Sequence, residues 1–246
     1  MKIRVVVPVV NKNLSRSKKN ISELFDLKSE ISVVAIEKGP ASIECEFDEA
    51  LAAPEVIAKI REAEQLGFDA VVVDCFGDPG VKSGREVVSI PVIGPGEASM
   101  HLASILGHRF SIVTVLENVV PLFENNCRVY GLETKLASIR FVNIPVLELH
   151  DSNVNVVEKL LIECIKAVDE DGAHSIALGC TGMAGLARTV QNELWKRDYK
   201  IPVIDPLEAA LRLAQILVEM KLSHSKRTYP FPPKKEIFGY EINIYE

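Results

Sequence analysis

The chain has 246 residues, 48% of them hydrophobic and 25% charged, with a formal net charge of −6. That length supports one large domain or two modest ones with real cores. The acidic balance argues against a nucleic-acid surface, and no apolar run approaches the roughly 20 residues of a membrane span.

The opening Met1-Lys2-Ile3-Arg4-Val5-Val6-Val7 lacks the apolar core and small-residue cleavage site of a secretory signal. Its apolar run from Ile3 to Val10 reads as a buried parallel strand. The polar loop after it, Asn11-Lys12-Asn13-Leu14-Ser15, leads into Lys12, Arg16, Lys18 and Lys19, a basic cluster with no interleaved aromatics that reads as a solvated face. A second strand is expected over residues 31–36. Helical periodicity runs from Pro54 to Leu66, with Gly67 as its C-cap. A strand over 70–73, a short helix over 83–88 and a strand over 91–93 follow.

The pattern then restarts. Strands are expected over 110–115, 138–142, 175–178 and 201–204. Helices are expected over 118–129, 154–169, 185–195 and 207–220, the last mirrored by 97–106. Strands alternating with helices of these lengths imply an α/β fold of parallel sheets flanked by helices. The tail from Thr228, with Pro230, Pro232 and Pro233, reads as extended and held on the surface or against a partner subunit.

The restart is a repeat in the residues themselves. Val71-Val72-Val73-Asp74-Cys75 follows Gly67, and Ile176-Ala177-Leu178-Gly179-Cys180 follows Gly172, so each cysteine lies eight residues beyond a helix-ending glycine. Ile90-Pro91-Val92-Ile93-Gly94-Pro95 is echoed by Ile201-Pro202-Val203-Ile204-Asp205-Pro206. Two pseudo-symmetric lobes are therefore expected. The first spans residues 1–95, with 206–246 packing back on it, and the second spans 96–205. The active site would occupy the cleft between them, with Cys75 and Cys180 on opposite sides.

Both cysteines are expected just beyond strand carboxyl ends, where open parallel sheets bind ligands. The glycines beside them, Gly77 and Gly80 in one loop and Gly179, Gly182 and Gly185 in the other, allow backbone N–H groups to approach a substrate closely. A thiolate on one face of a carbon alpha to a carbonyl can remove its proton, and a thiol on the other face can return one with inversion. Backbone donors aimed at the carbonyl would stabilise the enolate, so this chemistry needs no cofactor. Cys75 and Cys180 are the candidate catalytic pair, whereas Cys45, Cys127 and Cys164 read as small buried hydrophobes. An odd number of thinly spread cysteines points to free thiols in a reducing compartment, and the cytoplasm is the expected location.

Thr114, ending the strand that mirrors the first, is a candidate hydrogen-bonding partner for substrate, as is Thr181 through its hydroxyl and N–H. Gly77 and Gly182 are candidates through their backbones. Phe76 suits a substituent pocket or the core. Asp74, Asp78, Glu97 and Glu208 read as turn-forming or helix-initiating. The five histidines show no metal-ligand spacing, and neither a Walker motif nor a Rossmann fingerprint is present.

These pieces together resemble the aspartate/glutamate racemase superfamily, in its hydantoin and allantoin racemase branch. The resemblance rests on Asn11-Lys12-Asn13, Cys75-Phe76-Gly77-Asp78-Pro79-Gly80, Gly94-Pro95-Gly96-Glu97-Ala98, Gly179-Cys180-Thr181-Gly182-Met183-Ala184 and Pro202-Val203-Ile204-Asp205, in the family's order. Phe76-Gly77 stands where amino-acid racemases of the superfamily carry Asn-Thr, and Gly182 where they carry Glu. Both departures point from a free amino acid towards a cyclic ureide.

The resemblance implies cofactor-free racemisation of 5-substituted hydantoins or allantoin at ring carbon 5, in a homo-oligomer. It also implies that the first loop, through Asn13, reaches the ring. That loop departs from the family's Asn-Pro-Asn-Thr, which bears on substrate identity. Maleate isomerase or malonate-type decarboxylase chemistry of the same superfamily, and a non-catalytic small-molecule binding protein, are the alternatives.

Overall fold

The computed structural model describes residues 1–10, 21, 23–151 and 155–239. Among these, the chain runs β1 (Lys2–Val7), β2 (Glu30–Ala35), α1 (Glu46–Gln65), β3 (Ala70–Val73), α2 (Val81–Val87), β4 (Val92–Ile93) and α3 (Pro95–Leu106). It continues through β5 (Phe110–Thr114), α4 (Val120–Val129), β6 (Leu136–Phe141), α5 (Val156–Asp169), β7 (Ser175–Leu178), α6 (Leu186–Lys196), β8 (Val203–Ile204) and α7 (Pro206–Glu219). Two compact units result. One takes in Met1–Ile43, Phe47–Gly94 and Ala210–Glu246, and the other Glu44–Glu46 and Pro95–Ala209.

Each unit holds a four-stranded sheet, ordered β2-β1-β3-β4 in one and β6-β5-β7-β8 in the other. Every strand pair is parallel. The chain thus writes one sheet order twice. Residues of β3 and β7 are buried throughout, which explains why their sequences are continuous apolar runs rather than alternating ones.

In the first unit Val6, Val71 and Val73 turn towards Val56, Ile60 and Ala63 of α1 and Val81 and Val87 of α2. In the second, Val113, Ile176 and Leu178 meet Leu160, Leu161 and Cys164 of α5 and Val190 and Leu194 of α6. Burying each valine, leucine or isoleucine of these clusters contributes roughly 1.5–3 kcal/mol to the stability of its unit. On the other face of the second sheet, Ser175 Oγ donates to the Ala103 carbonyl of α3 at 3.1 Å. The later part of α7 belongs to the first unit, where Arg212 donates to the Phe25 carbonyl and Gln215 to Ser29 Oγ at 2.8 Å.

One boundary differs markedly from the sequence reading. Helix α1 begins at Glu46, and Pro54, read as its first residue, lies inside it. Proline suits a first helical turn, whereas in an interior it removes one hydrogen bond and costs about 3 kcal/mol. Here Ala52, Val56, Ile60 and Ala63 form a buried stripe on both sides of the proline, and that burial offsets the loss. The glycines that end α1 and α5, Gly67 and Gly172, are left-handed with φ of 75° and 72°. Among the described residues after α7 none lies in a helix or strand. The chain there is tied to the first unit where His224 Nε2 accepts from Val92 N at 2.9 Å and Lys226 Nζ donates to the Arg85 carbonyl at 2.7 Å.

Candidate active site

Both cysteine loops are entered and left the same way. Asp74 N donates to the Val6 carbonyl, and Gly179 N to the Val113 carbonyl, each at 2.8 Å. One residue further stands each cysteine. Five residues beyond it a left-handed glycine opens the next helix: Gly80 (φ 72°) before α2 and Gly185 (φ 87°) before α6. That conformation costs a residue with a Cβ roughly 1–2 kcal/mol, which accounts for glycine at both positions.

Between these matched ends the loops diverge. Cys180 has extended backbone (φ −154°, ψ 130°) and is followed by a single 3₁₀ turn over Thr181–Met183. Met183 N donates to the Cys180 carbonyl at 3.0 Å and Ala184 N to the Thr181 carbonyl at 3.1 Å. Gly182 N donates to Cys180 Sγ at 3.3 Å. A Cβ on Gly182 would lie 3.1 Å from that sulfur and 2.7 Å from Leu149 Cδ1, so glycine keeps the amide and sulfur in contact. An N–H aimed at sulfur favours the thiolate over the thiol.

Thr114 is fully buried, and its Oγ1 donates to the Gly179 carbonyl at 3.0 Å. Its hydroxyl proton is thus committed to the residue before Cys180. Thr181 is also buried. Asp205, to which the sequence reading gave no role, completes this loop. Its Oδ2 accepts from Gly185 N at 2.6 Å, while its Oδ1 accepts from Leu207 N at 3.1 Å and Glu208 N at 3.2 Å at the start of α7. Burial pushes the Asp205 carboxyl above its ordinary pKa, with the three amide donors opposing that rise.

The first loop is built around Asp78. Its N–H donates to the Cys75 carbonyl at 3.2 Å, its own carbonyl accepts from Val81 N at 3.3 Å, and its φ is 62°. Aspartate is among the few non-glycine residues that tolerate this region. The Asp78 carboxyl lies against Gly94, where any Cβ would overlap it. Asp74, Phe76, Gly77 and Asp78 are all buried. Asn13 lies outside the described residues.

The remaining cysteines have different surroundings. Cys127 and Cys164 are buried, and burial pushes their thiols up to about 11 and about 12 respectively. Both are therefore fully protonated near neutral pH. Cys75 and Cys180 are partly exposed. Cys45 is also partly exposed, immediately before α1, but no counterpart to it occurs in the repeat. A groove of about 700 Å³ beside α1, lined among others by Lys59, Arg61, Glu62 and Gln65, includes no residue of either cysteine loop. Among the described residues no cluster of three or more His, Cys, Asp or Glu side chains could hold a metal, and no helix is long and apolar enough to cross a membrane.

The family model described as Asp/Glu/Hydantoin racemase matches residues 16–214, most of the chain and both cysteine loops. The chain belongs to that family. A hydantoin racemase of Pseudomonas sp. (strain NS671) is 38% identical over 246 residues, covering 97% of this chain and 95% of its own. A hydantoin racemase of Paenarthrobacter aurescens is 41% identical over 208 residues, covering 84% of this chain and 86% of its own. Among solved structures, the allantoin racemase from Klebsiella pneumoniae superposes with a TM-score of 0.87 at 38% identity, covering 97% of this chain and 96% of that one.

Proposed function

We propose that this protein is a cofactor-independent racemase of 5-substituted hydantoins or allantoin, with Cys75 and Cys180 as its two acid–base groups. The observation that carries the reading is the duplicated loop itself. A cysteine stands at the same place beyond matched strands, between matched backbone bonds, in a chain 38% identical to both a hydantoin racemase and an allantoin racemase.

The reaction balances with the protein's own groups. One sulfur, as thiolate, takes the proton from ring carbon 5, and the C–H electron pair moves into the adjacent carbonyl as an enolate. The other sulfur, as thiol, gives its proton to the opposite face while the enolate collapses. The two sulfurs exchange protonation states, and turnover in the reverse direction or exchange with water restores them. The ring carbonyl and ring nitrogen on either side of carbon 5 acidify its proton, which is why a thiolate near neutrality suffices. Backbone N–H groups of the glycine-rich loops, Gly77 in particular, suit the enolate oxygen and ring, while the Gly182 N–H serves the Cys180 sulfur. Asn13 and Thr181 are proposed as further ring contacts, and Phe76 as a wall behind the 5-substituent. Thr114, given its bond to the Gly179 carbonyl, supports the second loop from behind.

A chain whose five cysteines form no disulfide suits a reducing, cytoplasmic setting, and a homo-oligomer is part of the same proposal. Size-exclusion chromatography with light scattering tests the latter. For the activity, purified protein is mixed with single enantiomers of 5-benzylhydantoin, 5-methylhydantoin and allantoin, and optical rotation is followed. Decay to zero with at least one of them is expected. A chain that binds these rings without changing their rotation would be a binding protein instead.

A further inference from the structure

We propose that Asp205 is a positioning residue for the Cys180 loop, and that its Oδ2–Gly185 bond is what holds the turn carrying Cys180 in place. This deepens the racemase reading and rests on it for its catalytic consequence, although not for its structural content.

The turn from Cys180 to Ala184 is only one 3₁₀ turn long, too short to hold its own shape, since such turns have poor internal hydrogen bonding. It must be anchored at both ends. The front anchor is Gly179, fixed through its N–H to the Val113 carbonyl and through its carbonyl by Thr114 Oγ1. At the back the anchor is Gly185 N, held at 2.6 Å by Asp205 Oδ2. Asp205 is nine-tenths buried and lies at the end of β8, 20 positions further along the chain.

The two oxygens of this carboxylate divide the work. Oδ1 caps α7 through Leu207 N and Glu208 N, a task that serine or asparagine performs about as well. Oδ2 alone reaches Gly185, and neither substitute can supply a second acceptor in that direction. The repeat makes the same point by contrast: Gly94 stands where Asp205 does, and the first loop draws its carboxylate from Asp78 within the loop instead.

Asp205→Ser and Asp205→Asn therefore separate the cap from the loop anchor. The test measures three things in the intact protein: melting temperature, iodoacetamide labelling of Cys75 and Cys180 at one fixed near-neutral pH (by mass spectrometry), and racemisation kinetics. Both variants are expected to melt close to the parent. In both, Cys180 labelling should slow about three- to tenfold, the scale of one weakened charge-assisted hydrogen bond, with Cys75 labelling unchanged. Turnover should fall by a similar factor with KM nearly constant.

Parent-like Cys180 labelling in a folded variant would overturn the proposal. So would fast hydrogen exchange at the Gly185 amide of the unaltered protein, a measurement that needs no variant. Slowed Cys180 labelling in a protein that racemises none of the test rings would leave the anchor standing and remove the racemase reading.

Discussion

The two cysteine loops are the same device finished in two ways. Both leave a buried parallel strand through an identical backbone bond and both end on a left-handed glycine. In the second, the carboxylate comes from outside, Asp205 reaching into the loop, and Gly182 N points at the sulfur. In the first, it comes from inside, Asp78 lying against Gly94, with Asp74 buried beside Cys75. Val7, pairing with no hydroxyl of its own, holds the β1 position corresponding to Thr114 on β5. What the repeat preserves is the position of a thiol. What it varies is the polar scaffold around it, as expected if two sulfurs must hold different protonation states at one moment.

That comparison can be broken most severely at the sulfurs. Cys75→Ser and Cys180→Ser should each reduce racemisation by at least about 100-fold, the lower range of general acid–base catalysis, as read by polarimetry. Two equal losses support one shared reaction. Retained activity in either variant would reduce that cysteine to scaffold.

The next largest effects are steric. Gly94→Ala should destabilise the fold by about 1–3 kcal/mol, because its Cβ meets the Asp78 carboxyl. Gly179→Ala should cost a similar amount, about 1–3 kcal/mol, since its Cβ would lie 2.6 Å from Thr114 Cβ. Urea unfolding measures both. The pair Gly94→Ala with Asp78→Gly should recover much of the first loss, because glycine keeps the left-handed backbone of position 78 while removing the carboxyl.

Labelling sharpens the contrast between loop and core cysteines. With thiols raised to about 11 and about 12, Cys127 and Cys164 should remain unmodified by iodoacetamide at neutral pH in the folded protein, while Cys75 and Cys180 react. Cys127→Ala and Cys164→Ala should leave racemisation unchanged.

The smallest effect lies on the edge strand β6. Arg140 donates to Asp171 at 2.6 Å and to Glu170 at 2.6 Å, and its hydrogen bond holds the Asp171 carboxyl below the ordinary value. A depressed carboxylate contributes stability that is present above its unfolded pKa and lost as pH falls through its folded one. Arg140→Met should therefore lower the neutral plateau of the melting-temperature profile slightly and leave its acid end nearly unmoved, which flattens the limb between them.

Much of this was legible in the chain. The two parallel sheets flanked by helices follow from buried apolar runs alternating with amphipathic helices, and the cysteine positions from their fixed distance to Gly67 and Gly172, whereas the order of the strands within each sheet does not. The start of α1 was not, because Pro54 gives a first-turn signal that only the tertiary burial around it overrides. Nor was the role of Asp205, whose tie to Gly185 joins residues that come together only once β8 lies beside β7. One signal for it did exist. The echoed Ile-Pro-Val-Ile segments differ at Gly94 and Asp205, and a carboxylate present in only one copy of a repeat invites the question of what it holds.

Two thiols sharing one proton transfer is the claim on which the account depends, and exchange in heavy water with single-cysteine variants tests it most directly. Each variant keeps one sulfur, so it should wash deuterium into ring carbon 5 of one enantiomer only, without inversion, and the two variants should choose opposite enantiomers. Both variants exchanging the same enantiomer, or either one inverting its substrate at the parent rate, would contradict it.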